Sequence, residues 1–126
     1  MPFRILAGVL GGFFFVQGLN WLANPSAAAE ALGMPLLDGM GRSTQIGDIS
    51  CFFLCLGGFG IYGAYRSQAH WVRAAGILVG LAALTRTLAW AIHDAPWATS
   101  FIMVELVTGG LFLFAASRLP SPPEAA

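Results

Sequence analysis

The sequence contains no lysine, and charged residues of all kinds make up only 10% of its 126 residues. Six arginines are balanced by six acidic residues, so the chain lacks the basic surface that binds nucleic acid. Its two cysteines, Cys51 and Cys55, are four residues apart in one apolar segment. Side chains on adjacent turns of a helix are poorly placed for a disulfide, and no second pair exists to make a framework. We interpret them as small buried packing residues, with a reactive or metal-binding pair as the alternative.

Histidine is equally scarce, and the positions of the two histidines restrict the sites that they can form. His70 and His93 fall at opposite ends of one apolar segment. If that segment is helical they are about 34 Å apart, so they cannot share one metal ion. Neither has a nucleophile suitably placed in the sequence for a Ser-His-Asp or Cys-His arrangement. We therefore predict no catalytic residue and no metal site and favour a non-enzyme, with a single-histidine haem site as the alternative.

Apolar residues dominate what the chain does contain. They make up 57% of the sequence, with a mean hydropathy of +0.74, and a soluble protein of this length lacks the interior to bury so many. Four segments approach the roughly 20 residues that a helix needs to cross a bilayer: 3–23, 44–65, 71–92 and 98–116. We predict an all-α fold, a four-helix transmembrane bundle in contact with lipid, as a single domain over residues 1–118. Residues 119–126 form a proline-rich tail, of which 121–126 is predicted to be disordered.

The connections predict a further helix and one pair of neighbours. Asn24 followed by Pro25 is typical of a helix start, and Gly33 can end that helix. A short helix is therefore expected at the membrane interface, between the first and second spanning helices. The loop 93–97 is so tight that the third and fourth spanning helices must be antiparallel neighbours.

Arginine placement predicts the orientation of the bundle. The end that holds both termini carries Arg4, Arg66, Arg73 and Arg118, whereas the other end has Arg42 alone. By the positive-inside rule, the end richer in arginine faces the cytoplasm. Both termini are therefore predicted to be cytoplasmic.

Each apolar segment is interrupted by polar residues at a similar depth. Asp48, Arg86, Glu105 and Gln17 lie about 9–12 Å inward from the outer segment ends, and Asn20 is one turn shallower than Gln17. A charge in hydrocarbon costs at least a few kcal/mol, so it is usually paired, faces the bundle interior and marks function. We predict that these residues form a polar layer in the outer half of the membrane, which is the candidate binding site. Further polar residues extend it outward: Thr44, Gln45, Thr85 and Thr87.

This polar layer has a structural and a functional interpretation. As a clamp, Arg86 pairs with Glu105 across the tight loop and Asp48 accepts a further hydrogen bond, because one guanidinium can bridge two carboxylates. In the functional interpretation one cation faces two carboxylates, so the layer is either negative or holds a proton on one acid. Such an acid can donate a proton, bind a cation or anchor the head of a lipophilic ligand in a pocket. Both interpretations stay open at this point.

Several short motifs are spread over most of the chain: the segment from Asn24-Pro25 to Gly33, Arg42 at the start of the second spanning helix, Leu84-Thr-Arg86, Asp94-Ala-Pro96 and Glu105-Leu-Val. Together they resemble the DoxX-like group of small four-helix bacterial membrane proteins, especially its relatives of unknown function. Asp48 departs from that pattern, which favours a small or apolar residue there. The resemblance implies a four-helix bundle in the bacterial cytoplasmic membrane. Some DoxX-type proteins resemble membrane partners of quinone-linked or thiol-linked redox enzymes.

Three functional hypotheses follow from these features. The leading one is a non-enzymatic accessory subunit, which binds a lipophilic cofactor, a second copy or other subunits of a membrane complex, such as a redox or quinone-linked one, through its glycine-rich helix faces. The alternative is a small membrane enzyme or carrier that binds a lipophile, with Glu105 and Asp48 as acid and base and Arg86 positioning an anionic or carbonyl group. The third is a proton- or cation-coupled transporter, which needs an oligomer. The residues imply no particular cofactor, although a quinone, haem or other lipophile is compatible with them.

Overall fold

The computed structural model of the protein describes residues 1–121 and 123, and all regular structure within them is helical. The helices are α1 (Pro2–Ala23), α2 (Pro25–Ala31), α3 (Gly39–Arg66), α4 (Ala69–His93) and α5 (Thr99–Ser117). Four of them, α1, α3, α4 and α5, are long and apolar enough to cross a membrane. The predictions of an all-α fold, of four long apolar helices and of a short helix between the first two are confirmed.

The start of α3 is the boundary that the sequence predicted least well. The helix begins at Gly39, before the predicted start at 44 and before Arg42, because its first turn is polar and does not match the apolar pattern. Arg42 stabilises this turn by donating to the carbonyl of Leu37 and to the Asp38 carboxylate, both at 2.8 Å. The boundaries of the other three long helices lie within two residues of the predicted ones.

The short helix α2 begins and ends as its flanking residues predict. Asn24 occupies the N-cap position before Pro25, although its side chain makes no capping hydrogen bond. At the other end Gly33 has a φ of +76°, a conformation that only glycine adopts at little cost, and its N–H donates to the carbonyl of Glu30 at 2.9 Å. The buried side of α2, Ala28 and Ala29, packs with Trp21 of α1.

The four long helices form a closed ring. Packing joins α1 to α3, α3 to α4, α4 to α5 and α5 back to α1. The α3–α4 and α4–α5 connections are too short to reach a distant position in the bundle, so the helices they join are adjacent and antiparallel, as predicted for the second of these loops.

The end of the bundle that holds the chain termini is densely packed. Phe112 of α5 is completely buried there, and glycines allow the backbones around it to approach closely. A Cβ atom added at Gly60 of α3 would lie 2.9 Å from the Cα of Gly11 and 3.0 Å from the Phe112 ring. Close approach of helices through small residues is the packing expected of helices in lipid.

The C-terminal segment begins in contact with this end of the bundle. Leu119 packs against the main core cluster, and the carbonyl of Pro120 accepts a hydrogen bond of 3.0 Å from the N–H of Ala69, the first residue of α4. These two residues begin the proline-rich tail and precede the segment predicted to be disordered, 121–126. Positions 122 and 124–126 of that segment lie outside the described residues.

Arg4 joins the start of α1 to the end of α3. Its Nε–H donates to the carbonyl of Ala64 at 2.8 Å, and its Nη2 donates to the carbonyl of Tyr65 at 3.1 Å. Both carbonyls belong to the last turn of α3, where the helix dipole is negative and cations are favourable.

Replacing Arg4 with glutamine is expected to lower the free energy of unfolding by about 1–3 kcal/mol, because charge-assisted hydrogen bonds to the α3 terminus are lost. The measurement is reversible unfolding in mixed micelles. Arg73→Gln is the matched control, since the exposed Arg73 side chain bonds to no other described residue. Equal losses in the two variants would contradict this role for Arg4.

Candidate functional site

A cavity of about 470 Å³ lies between the helices, away from the densely packed end of the bundle. All five helices contribute to its lining, together with the connection that follows α2. Four residues of the predicted polar layer line this one cavity: Gln17, Asp48, Arg86 and Glu105. The fifth, Asn20, is not among the lining residues. Counting residues along the helices predicted that these four side chains lie at a similar depth. The fold also brings all four to the same cavity.

The rest of the cavity wall is apolar and rich in aromatic rings. Five phenylalanines line it: Phe13, Phe14, Phe52, Phe53 and Phe101. Phe14 and Phe53 are stacked with their ring centroids 6.1 Å apart, and Phe14 also lies 6.2 Å from the buried ring of Phe112. The buried residues Phe14 and Val79 connect the cavity to the packed core. A mainly apolar wall with a few polar groups is the usual composition of a small-molecule site.

Arg86 and Glu105 form an ion pair across the α4–α5 interface. Nε of Arg86 donates to Oε1 of Glu105 at 2.7 Å, and the guanidinium lies 4.7 Å from the centroid of the Phe101 ring. The Glu105 side chain is only 12% exposed, and its second oxygen, Oε2, is buried without a hydrogen-bond partner among the described residues. The predicted pair is thus formed, and half of the carboxylate is left unsatisfied.

Asp48 does not take part in this pair. Its side chain is exposed and makes no hydrogen bond or ion pair with any described residue, so the hydrogen bond predicted between Asp48 and the Arg86 clamp is absent. The physical reason is the direction of the guanidinium, which contacts Glu105 and Phe101 of α5, whereas Asp48 lies on α3. Asp48 remains an unpaired carboxylate at the edge of the cavity.

The residues expected to extend the layer outward have other roles. Thr85 donates to the carbonyls of Leu81 and Ala82, and Thr87 donates to that of Ala83, so both are satisfied within α4. Thr44 is exposed. On α1, the Asn20 carbonyl accepts the N–H of Asn24 at 2.7 Å, at the end of the helix.

Gln45 has a role that the sequence did not reveal. It is buried, accepts the N–H of Leu37 at 2.9 Å, and donates to the Pro35 carbonyl at 3.0 Å and to Sδ of Met34 at 2.8 Å. Gln45 therefore holds the connection between α2 and α3 in place, and Met34 of that connection lines the cavity. The only signal in the sequence was that Gln45 is a polar residue about one helical turn before Asp48, in the polar first part of α3.

A second, lateral groove of about 410 Å³ lies beside the cavity, between α3 and α4. Asp48 and Phe52 line both spaces, so these two residues form the partition between them. Cys51 and Cys55 line the lateral groove and are exposed, which corrects the prediction that they are buried packing residues. The i, i+4 spacing placed them on one face of α3, and that face lies toward the outside of the bundle.

The two histidines lie exposed at the ends of α4. Among residues 1–121 and 123, no group of three histidine, cysteine or acidic side chains is arranged to hold a metal ion. The chemistry available in the cavity is therefore that of one ion pair, one free carboxylate, one amide and aromatic rings.

The chain matches no protein-family model, no curated protein and no solved structure. The functional argument accordingly depends on the cavity and its charges.

Proposed function

We propose that this chain is an integral membrane protein whose cavity binds a lipophilic molecule with a polar head group. The observation that carries the proposal is the cavity itself. Its volume of about 470 Å³ falls within the range of small-molecule sites, and its wall is apolar except where Gln17, Asp48, Arg86 and Glu105 meet it. Such a wall suits an apolar body, and the polar groups suit a head that needs hydrogen bonds or charge.

The outer faces of the long helices support membrane insertion. Large apolar side chains are exposed along α1, α4 and α5, for example Val9 at 65%, Ile77 at 51% and Leu106 at 54%, and near both ends of α3. In water such continuous apolar surface is rare on a monomer, whereas in lipid it needs no further cover. The excess of arginine at the end with the termini supports a cytoplasmic location for both, which puts the cavity in the outer half of the membrane. The resemblance to the DoxX-like group favours the bacterial cytoplasmic membrane.

The lateral groove supplies a route to the cavity from the lipid side. Because Asp48 and Phe52 separate the two spaces, rotation of the Phe52 ring about its side-chain torsions would connect them. Side-chain rotations of this kind are fast compared with helix motions, so ligand exchange does not require the bundle to open.

An accessory role in a larger membrane assembly is the second candidate function. It is supported by glycines on outer helix faces: a Cβ added at Gly12, Gly80 or Gly110 would meet nothing within 4 Å. Such positions allow a helix of another subunit, or of a second copy, to approach closely. A binding cavity and an accessory role are compatible, since a subunit can carry the lipophile on which its partner acts.

Mass spectrometry of the gently extracted protein tests both candidates. We expect the wild type to retain a small lipophile, and Ala82→Trp to lose it, because Ala82 lines the cavity and an indole would fill the space. Leu81→Phe is the control: Leu81 is on the same helix, 48% exposed and outside the cavity. An equal ligand content in all three proteins would overturn the binding proposal. A second subunit that remains bound to all three would favour the accessory role.

A further inference from the structure

The charged groups of the cavity do not balance. Its lining contains one cation, Arg86, and two carboxylates, Asp48 and Glu105. Arg86 and Glu105 neutralise each other at 2.7 Å, which leaves Asp48 as the uncompensated charge. We infer that the head group that the cavity binds is a cation, a protonated amine on an aromatic or otherwise apolar body. This inference rests on the proposed binding function and specifies the chemistry of its ligand.

Asp48 is placed to receive such a head group. It lies in the partition between the lateral groove and the cavity, and no described residue pairs with it. An unpaired carboxylate is costly at membrane depth, so binding of an ammonium group is favoured because it supplies the opposite charge that no described residue provides. A ligand arriving through the groove meets Asp48 before it meets the ion pair.

Glu105 supplies a second acceptor for the same head group once its carboxylate turns toward the cavity, because Oε2 is buried in the arrangement described. Oε1 is taken by Arg86, whereas Oε2 is buried with no partner among the described residues. An unsatisfied buried carboxylate oxygen favours a donor. A primary ammonium carries three N–H donors, whereas an alcohol has one donor and a carboxylate has none. Of these three head groups, the ammonium can therefore donate the most hydrogen bonds to carboxylate oxygens.

The aromatic wall adds to the preference for a cation. The faces of phenylalanine rings attract cations, and five such rings line the cavity. The Phe101 ring already carries the Arg86 guanidinium at 4.7 Å, which shows that the site uses this interaction. An anionic head would be attracted by Arg86 alone, and it would meet a cavity whose lining has an excess of one negative charge.

Three probes with one aromatic body separate the possible head groups: 1-pyrenemethylamine, 1-pyrenemethanol and 1-pyrenecarboxylate. Their binding is measured at neutral pH by equilibrium dialysis against the full chain in phosphatidylcholine nanodiscs, with empty nanodiscs subtracted. We expect the amine to bind at least about tenfold more tightly than the alcohol, a difference in affinity that one close charge pair can supply. The carboxylate should bind most weakly of the three. Equal or tighter binding of the alcohol or the carboxylate would overturn the inference.

Substitution of Asp48 locates the preference. Asp48→Asn is expected to remove most of the difference between the amine and the alcohol, because the side chain keeps its shape and loses its charge. Asp94→Asn makes the same change at an exposed position outside the cavity, at the end of α4, and should keep the full preference. If Asp48→Asn retained it too, the assignment to Asp48 would be wrong. Failure of all three probes to bind above empty nanodiscs, in the wild type and in Ala82→Trp alike, would overturn the proposed function together with this inference.

Discussion

Arg86→Leu is expected to lower the free energy of unfolding by about 3 kcal/mol, because it leaves the Glu105 carboxylate, only 12% exposed, without a partner. The pair is the only ion pair between two of the long helices among residues 1–121 and 123. The measurement is the unfolding equilibrium of the purified protein in mixed micelles of a mild and a denaturing detergent. A loss below about 1 kcal/mol, the range of exposed ion pairs, would contradict the clamp.

The double variant Arg86→Leu with Glu105→Leu separates the structural interpretation of this pair from the functional one. Replacing a buried ion pair by apolar side chains of similar volume is often neutral for stability, so the double variant should regain most of the loss. If the pair serves only as a clamp, the double variant should also retain the ligand and bind the probes as the wild type does. We expect ligand content and probe binding to remain impaired, since the polar end of the cavity would then hold only Asp48 and Gln17.

Gly57→Ala is expected to lower the free energy of unfolding by about 2–3 kcal/mol, the upper part of the usual range for overpacking. An added Cβ would overlap the backbone nitrogen of Phe15 and lie 2.6 Å from the carbonyl oxygen of Gly11. Both are backbone atoms of α1, which cannot move aside by a side-chain rotation, so the α1–α3 interface itself must separate. The same unfolding measurement applies.

The neighbouring residue supplies the control for Gly57. A Cβ at Gly58 would meet nothing within 4 Å, so Gly58→Ala should be neutral or stabilise the protein by up to about 1 kcal/mol through helix propensity. Comparable losses at the two positions would indicate a general sensitivity of α3 to alanine and would contradict the close-approach argument.

The contrast between these two glycines also shows what could be predicted from the sequence. Gly57 and Gly58 are adjacent and equivalent in composition, and only the rotation of α3 about its axis decides which one contacts α1. A helix that is apolar on all sides carries little periodic signal for its buried face. The same ambiguity explains the errors at Cys51 and Cys55, which were expected in the core and lie in the lateral groove.

Part of the candidate site could likewise be predicted from the sequence, and part could not. The depth of Gln17, Asp48, Arg86 and Glu105 follows from counting residues along helices, because helical rise is constant and each helix end is marked locally. Their partners do not follow from it. Asp48 and Glu105 are both acids at about the same depth, and each lies on a helix adjacent to α4. Only Glu105 is paired with Arg86, at 2.7 Å, because the guanidinium is directed toward α5.

By itself, the sequence determined the helical class, the four long apolar helices, the short helix between the first two and the level of the polar residues, since hydropathy, segment length and local capping residues decide all of these. The tertiary structure decided which faces of those helices meet. It paired Arg86 with Glu105, left Asp48 between the cavity and the lateral groove, and used Gln45 to hold the connection after α2. The physical reason is that side-chain partners in a bundle depend on helix rotation and neighbour order, which arise only when all four long helices pack together.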